Sequence, residues 1–289
     1  MAIGKFLYSN VLYILWFILY FTIAWVLLGA DINSFIIVAI IYGISISLAL
    51  SPLGEIILRL IENCREPATE EERNYLMPLF EEAYQSAKEI NPGLNNGIRL
   101  YIMDAMYINA FAIGRRTIAV TMGAVTTFTA DELKGILAHE LGHMAYGHTK
   151  ALLLSVIGNL FFSVITLFFK LILIIIQLIA SIVASFNVIG FGFAILAYIA
   201  RLLVNISVFI FINLSQMILA INSRTNEIQA DTFGFEMGYG RELISGLYLL
   251  HRVSLSANVG LFERMKASHP HMAYRIANLE YLENTASYT

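Results

Sequence analysis

Residues 135–162 read GILAHELGHMAYGHTKALLLSVIGNLFF. The first half holds His139, Glu140 and His143 in the order HExxH, and from Ala151 onward the stretch is an apolar tract. Any fold assigned to the chain must let imidazole and carboxylate chemistry stand at the very start of what reads as a membrane span.

Two histidines four residues apart on a helix leave it about 400° apart, so both imidazoles sit on one face, one turn from each other, and can share an ion. Imidazole suits zinc, and two such nitrogens are half of a tetrahedral site. Glu140 lies about 60° round the helix from His143, beside the ion without ligating it. There it can take a proton from a water whose pKa the metal lowers to about 7. Thr129 and Glu132 have capping-box spacing and start the helix, while Asp131, Glu132 and Lys134 put its beginning in water. His148 is five residues past His143, about 140° round a continuous helix, which points it away and makes it a polar helix-end residue. The longer HExxHxxGxxH pattern does not fit, because Gly147 and His148 each fall one place off.

The third ligand is expected from SRTNEIQADTFGF (223–235). This stretch follows the last apolar block directly, as HELGH precedes the one before it. A helical hairpin between them returns the chain to where it left, so that Glu227 meets His139 and His143. Asp231, one turn on and on the same face, can orient a ligand histidine through its second ring nitrogen.

Hydrophobic residues make up 58% of the chain and charged ones 13%, against roughly a quarter charged in an average soluble domain. This argues against a water-soluble globule. The apolar residues gather at Phe6–Ala30, Ser34–Leu50, Ala151–Phe186 and Val188–Ile221, and about 20 residues cross a bilayer. The first block exceeds the ~7–15-residue core of a signal peptide and reads as a retained span. The second can continue through Ser51-Pro52 as far as Leu60. The last two are overlong and read as tilted helices extending toward the soluble part, with Lys170 and Arg201 at similar depth in their hairpin. The short connection ADINS (30–34) has no Lys or Arg, whereas the segments at 51–150 and 222–289 carry most of them. Both segments and both termini are therefore expected in the cytoplasm. The single cysteine, Cys64, cannot form an internal disulfide and fits a reducing compartment. A net charge of −3 without a basic tract argues against nucleic acid.

Within the soluble segments, Thr69 and Glu72 cap a helix that NPG (91–93) stops. IRLYIM (98–103) reads as a strand, and INAFAI (108–113) with TIAVTM (117–122) as a hairpin turning at Gly114. This sheet is either a plain structural layer or an open edge to which an extended peptide adds a strand. Helical patterns follow at 241–253 and 271–284.

Taken in order, the paired N-terminal spans, NAFAIG (109–114), ELKGILAHELGH (132–143), two further spans, SRTNEIQAD (223–231) and HPHMAYRI (269–276) resemble the HtpX family of membrane-bound zinc metalloproteases. Its peptidase group also holds the CAAX prenyl endopeptidases. The resemblance implies one zinc per chain on His139, His143 and Glu227, Glu140 as general base, and Asp231 behind the ligands. It also implies a substrate-binding edge strand at Asn109, Ala110, Phe111 and Ala112, with His269 and Arg275 approaching the substrate carbonyl as oxyanion donors. The expected fold is a mainly α membrane protein: four transmembrane helices and a cytoplasmic α+β, zincin-like (gluzincin) catalytic domain with a small antiparallel sheet. The order is a membrane hairpin (6–60), the first part of the catalytic domain (61–150), a second membrane hairpin (151–221) and the second part (222–289). The expected function is a multi-pass endopeptidase of the plasma or inner membrane, acting at the cytoplasmic face on peptides and on membrane-associated or misfolded membrane proteins. The rivals are an intramembrane, site-2-type metalloprotease and a non-catalytic scaffold with a structural zinc.

Overall fold

The computed structural model describes residues 15, 17–26, 28–185, 188–256 and 272–286. Helix α1 (Phe17–Val26) and α2 (Ile32–Leu50) form a first hairpin. Its turn is closed by Asp31, whose carboxylate accepts from the Ser34 N–H at 2.6 Å. Then follow α3 (Pro52–Ile61), β1 (Cys64–Arg65), α4 (Glu70–Ile90), β2 (Arg99–Met103), β3 (Ala110–Ile113), β4 (Thr117–Thr121), α5 (Met122–Thr127) and α6 (Ala130–Tyr146). The chain ends with α7 (His148–Ala184), α8 (Val188–Glu236), α9 (Gly240–Ser256) and α10 (Met272–Ala286).

Both capping boxes form: Thr69 with Glu72 starts α4 and Thr129 with Glu132 starts α6. The second apolar block does break at Ser51. A residue before proline is pushed out of the helical region, and Ser51, extended at ψ 164°, caps α3 with Pro52 at its first position.

The sheet runs β1-β2-β4-β3 and is mixed, which corrects the all-antiparallel expectation. β3 and β4 make the expected antiparallel hairpin, with Ala110 opposite Val120 and Ile113 opposite Thr117. β4 inserts between β3 and β2 and pairs with β2 in parallel, Arg99 opposite Thr117. The connection at 104–109 must therefore step over the position β4 will fill, an arrangement that local hairpin patterns do not encode. β4 is buried along its whole length and β3 is left at an edge.

One apolar core joins residues from both soluble segments: Leu76 and Phe80 of α4, Ile118 and Val120 of β4, Leu133, Leu137 and Leu141 of α6, Phe233 of α8, Leu243 and Leu247 of α9, and Leu279 of α10. A smaller cluster of Ala49, Leu58, Ile113 and Leu153 ties α2, α3 and α7 to the edge strand. The hairpin turn is pinned from both sides. Glu55 of α3 accepts from the Arg115 N–H, and the Thr149 hydroxyl of α7 donates to the Gly114 carbonyl.

Among the described residues, α2 and the Gly190–Phe209 part of α8 are long and apolar enough to cross a membrane. Phe17–Val26 and Lys170–Ala184 are shorter apolar helices. The expected count of four spans is thus met by two, and the first block begins outside the described residues. Helix α8 continues unbroken from its apolar part through Glu236, 49 residues or about 74 Å. Arg201 donates to Gln177 Oε1 at 2.9 Å across the α7–α8 hairpin.

Candidate metal centre

Helix α6 carries His139, Glu140 and His143, and its close fit to α8 depends on the glycine between them. A Cβ on Gly142 would come within 2.9 Å of both the Cα and the carbonyl oxygen of Ala230, nearer than real Cβ contacts allow. Gly142 thus lets α8 approach closely enough for Glu227, three residues before Ala230, to reach the imidazoles. The ligand atoms of His139, His143 and Glu227 all lie within 4.8 Å of one another. The two Nε2 atoms are 3.1 Å apart, His143 Nε2 is 3.3 Å from Glu227 Oε1, and His139 Nε2 is 3.5 Å from Glu227 Oε2.

These separations suit a small ion. Ligands arranged tetrahedrally at the usual ~2.0–2.1 Å from zinc are about 3.3 Å apart. The charge balance points the same way. Glu140, Glu227, Asp231 and Arg275 are all buried, at 2, 3, 0 and 3% exposure. With His139 neutral, as a metal ligand must be, three carboxylates against one guanidinium leave an excess of two negative charges. An uncompensated buried charge costs several kcal/mol, and a divalent cation removes the excess. Glu140 is not one of the converging side chains, in keeping with its position a third of a turn or less from them on α6.

Behind the ligands, His139 Nδ1 lies 2.9 Å from Asp231 Oδ1, which keeps its proton on Nδ1 and its lone pair on Nε2. Burial and the Arg275 charge push the His139 pKa down, but Asp231 and Glu227 outweigh them and raise it to about 9. Burial pushes Asp231 up, and the Arg275 charge overrides this and holds it at about 2. Arg275 grips Asp231 with a fork, Nε to Oδ2 at 2.8 Å and Nη2 to Oδ1 at 2.6 Å, and its Nη1 is 2.8 Å from Glu227 Oε2. This guanidinium therefore holds two carboxylates side by side in a buried site, which takes a cation.

His148 has neighbours that its five-residue offset concealed. That offset points it away only on a continuous helix, and Gly147 takes the left-handed conformation (φ 73°, ψ 21°), ends α6 and starts α7 in a new direction. This turns His148 back, with its Nδ1 3.0 Å from His143 Nδ1 and its Nε2 3.0 Å from Gln229 Oε1. Burial, helped by the neighbouring His143, lowers the His148 pKa to about 4. The one available signal was Gly147, a common helix-ending residue.

Asn109 sits where the edge strand begins. Its carbonyl accepts from the Thr121 N–H and its own N–H donates to Thr121 Oγ1, both at 3.0 Å. In an antiparallel pair, hydrogen-bonded and non-bonded positions alternate. With Asn109 and Thr121 bonded, the backbone groups of Ala110 and Ala112 face away from β4, and β3 packs against α6. His269 lies outside the described residues.

The Peptidase family M48 profile matches residues 72–283. A protein named Protease HtpX from Alcanivorax borkumensis is 26% identical over 277 residues, covering 87% of this chain and 86% of that one. A CAAX prenyl protease 1 homolog from Caenorhabditis elegans is 29% identical over 149 residues, 51% of this chain and 32% of that one. Among solved structures, Ste24p of S. mikatae is similar at 20% identity with a TM-score of 0.48, covering 96% of this chain and 64% of that one.

Proposed function

The chain belongs to peptidase family M48, and from that premise we propose that it is an HtpX-type zinc endopeptidase embedded in the plasma or inner membrane, hydrolysing peptide bonds of membrane-associated or misfolded membrane proteins at the cytoplasmic face. The observation that carries this reading is the convergence of His139, His143 and Glu227, from two distant parts of the chain, on one point where buried carboxylates outnumber the single buried guanidinium.

His139, His143 and Glu227 hold the ion, with Asp231 and Arg275 keeping His139 and Glu227 in place. A zinc ion bound there supplies Lewis acidity and makes a water acidic enough to be deprotonated near neutral pH. Glu140 accepts the proton of the attacking water and hands it to the leaving amine nitrogen. The substrate lies extended along Asn109–Ala112 as an added strand, hydrogen-bonded to the outward backbone groups of Ala110 and Ala112. His269 and Arg275 are the candidate donors to the developing oxyanion.

Segments 61–150 and 222–289 make the catalytic unit, and 6–60 and 151–221 are membrane hairpins. The shared core of α4, α6, α9 and α10 supports the first assignment, and the apolar α2 and α8 support the second. With both ligand helices continuous with or adjoining apolar helices, the site stands near the bilayer surface, within reach of membrane-anchored substrates.

The test is cleavage of a membrane-protein substrate, or self-cleavage, by purified wild type and Glu140→Gln, each with and without a chelator. Loss of a general base costs on the order of 10²–10⁴-fold in rate. The variant is expected to fall by that factor while retaining zinc, and the chelator to abolish wild-type activity. A variant that keeps zinc and cleaves at the wild-type rate refutes the mechanism.

A further inference from the structure

We propose that His148 and Gln229 are positioning residues: the hydrogen-bonded chain Gln229–His148–His143 holds His143 in the one tautomer that can bind the metal. The inference rests on the metal-centre reading above and deepens it.

Four atoms decide the direction of the chain. Gln229 presents its carbonyl oxygen, Oε1, to His148 Nε2 at 3.0 Å. A carbonyl oxygen only accepts, so His148 carries a proton on Nε2. A neutral imidazole has one N–H, so the Nδ1 of His148 is a bare acceptor. The atom facing it at 3.0 Å, Nδ1 of His143, must then be the donor. With its proton on Nδ1, His143 has a lone pair on Nε2, the atom that lies 3.1 Å from His139 Nε2 and 3.3 Å from Glu227 Oε1.

The opposite chain needs the Gln229 amide turned over, so that its NH2 donates to His148 Nε2. His148 would then offer an N–H at Nδ1, and His143 would carry its own proton on Nε2, pointing into the ligand triangle and excluding a metal. The orientation of the Gln229 amide, with Oε1 toward His148, selects between the two arrangements from outside the centre. Packing holds His148 for the task. Its ring stacks on Tyr146 at 5.7 Å and 18°, and Tyr146 meets Phe233 of α8 edge-on at 6.0 Å. The two ligand histidines are therefore backed differently, His139 by a carboxylate locked to Arg275 and His143 by a relay of neutral groups ending on α8.

The experiment measures zinc affinity of the full-length protein in detergent by competition with a chromogenic chelator, for wild type, His148→Leu, His148→Asn, Gln229→Met and Gln229→Glu. Removing a partner behind a metal-binding histidine typically costs 10–100-fold in affinity. His148→Leu is expected to lose on the order of tenfold. Asn places Oδ1 where His148 has Nδ1, accepts from His143 and restores most of the loss. Gln229→Met, an exposed change that leaves His148 in place, weakens zinc by a smaller factor, and Gln229→Glu, an acceptor only, binds at least as tightly as wild type. The proposal is overturned if His148→Leu binds zinc like wild type, if Asn and Leu are equally impaired, or if Gln229→Glu and Gln229→Met behave alike. A wild-type protein that fails to bind zinc at all overturns the metal-centre reading itself, an outcome separate from any difference among the variants.

Discussion

At the scale of single residues, the most informative side chain is Arg275. Its guanidinium is the only permanent cation among the described buried side chains around Glu140, Glu227 and Asp231. Breaking a buried pair by removing one partner costs about 3–5 kcal/mol. Arg275→Met is therefore expected to lower thermal stability by that order and to weaken zinc retention, with Arg275→Lys recovering part of each. Unchanged stability with a lost kcat would instead indicate a direct role toward substrate. His139 gives a pH dependence. Its metal-free pKa, raised to about 9 from the ordinary ~6.5, means that the proton stabilises the metal-free fold. That contribution is complete below about pH 6.5 and is lost as pH rises through 9. A metal must displace the same proton. Zinc affinity in chelator competition should thus climb about tenfold per pH unit between 7 and 9 and flatten above. A flat profile over that range would count against the Asp231–His139 pairing.

At the scale of elements, HELGH on a capped helix was legible in the chain, because helix periodicity alone sets which side chains share a face. The hairpin at Gly114 was legible for the same local reason, whereas the insertion of β4 between β3 and β2 was not. Which strand fills a gap depends on what packs against it, and Ile118 and Val120 of β4 join a core with residues of α4, α5 and α6 that lie elsewhere in the chain. The edge position of β3 yields a test of substrate binding. Proline is tolerated at sheet edges where the missing N–H faces outward, and Ala112 is such a position. Ala112→Pro is expected to keep zinc while losing one hydrogen bond to the peptide, about 0.5–1.5 kcal/mol or two- to tenfold in kcat/KM. A variant with unaltered kcat/KM would remove β3 from the substrate path.

At the scale of the whole molecule, α7 and α8 form a long hairpin that leaves the site at His148 and returns to it at Glu227, 79 residues later in the chain. The proposed topology has the Gly29–Asp31 turn on the far side of the membrane from α4. In a Cys64→Ser background, a membrane-impermeant thiol reagent applied to intact cells should label Asp31→Cys and leave Glu71→Cys untouched until the cells are opened. Labelling of Glu71→Cys in intact cells would invert the orientation.

The sequence by itself determined whatever follows from neighbours along one helix or one strand: the pair of imidazoles on a common face, Glu140 beside them, the capped starts of α4 and α6, the apolar hairpins, and Glu227 as the carboxylate that a returning hairpin brings to the imidazoles. Tertiary structure alone decided which partners stand behind those ligands. Arg275 turned to the carboxylates because a buried pair of them demands a cation. His148 turned to His143 because one left-handed glycine redirected the chain. Gly142 let α8 settle close enough for the site to form at all. Each of these depends on a distance between segments far apart in the chain, and such distances are set by packing, to which local periodicity is blind.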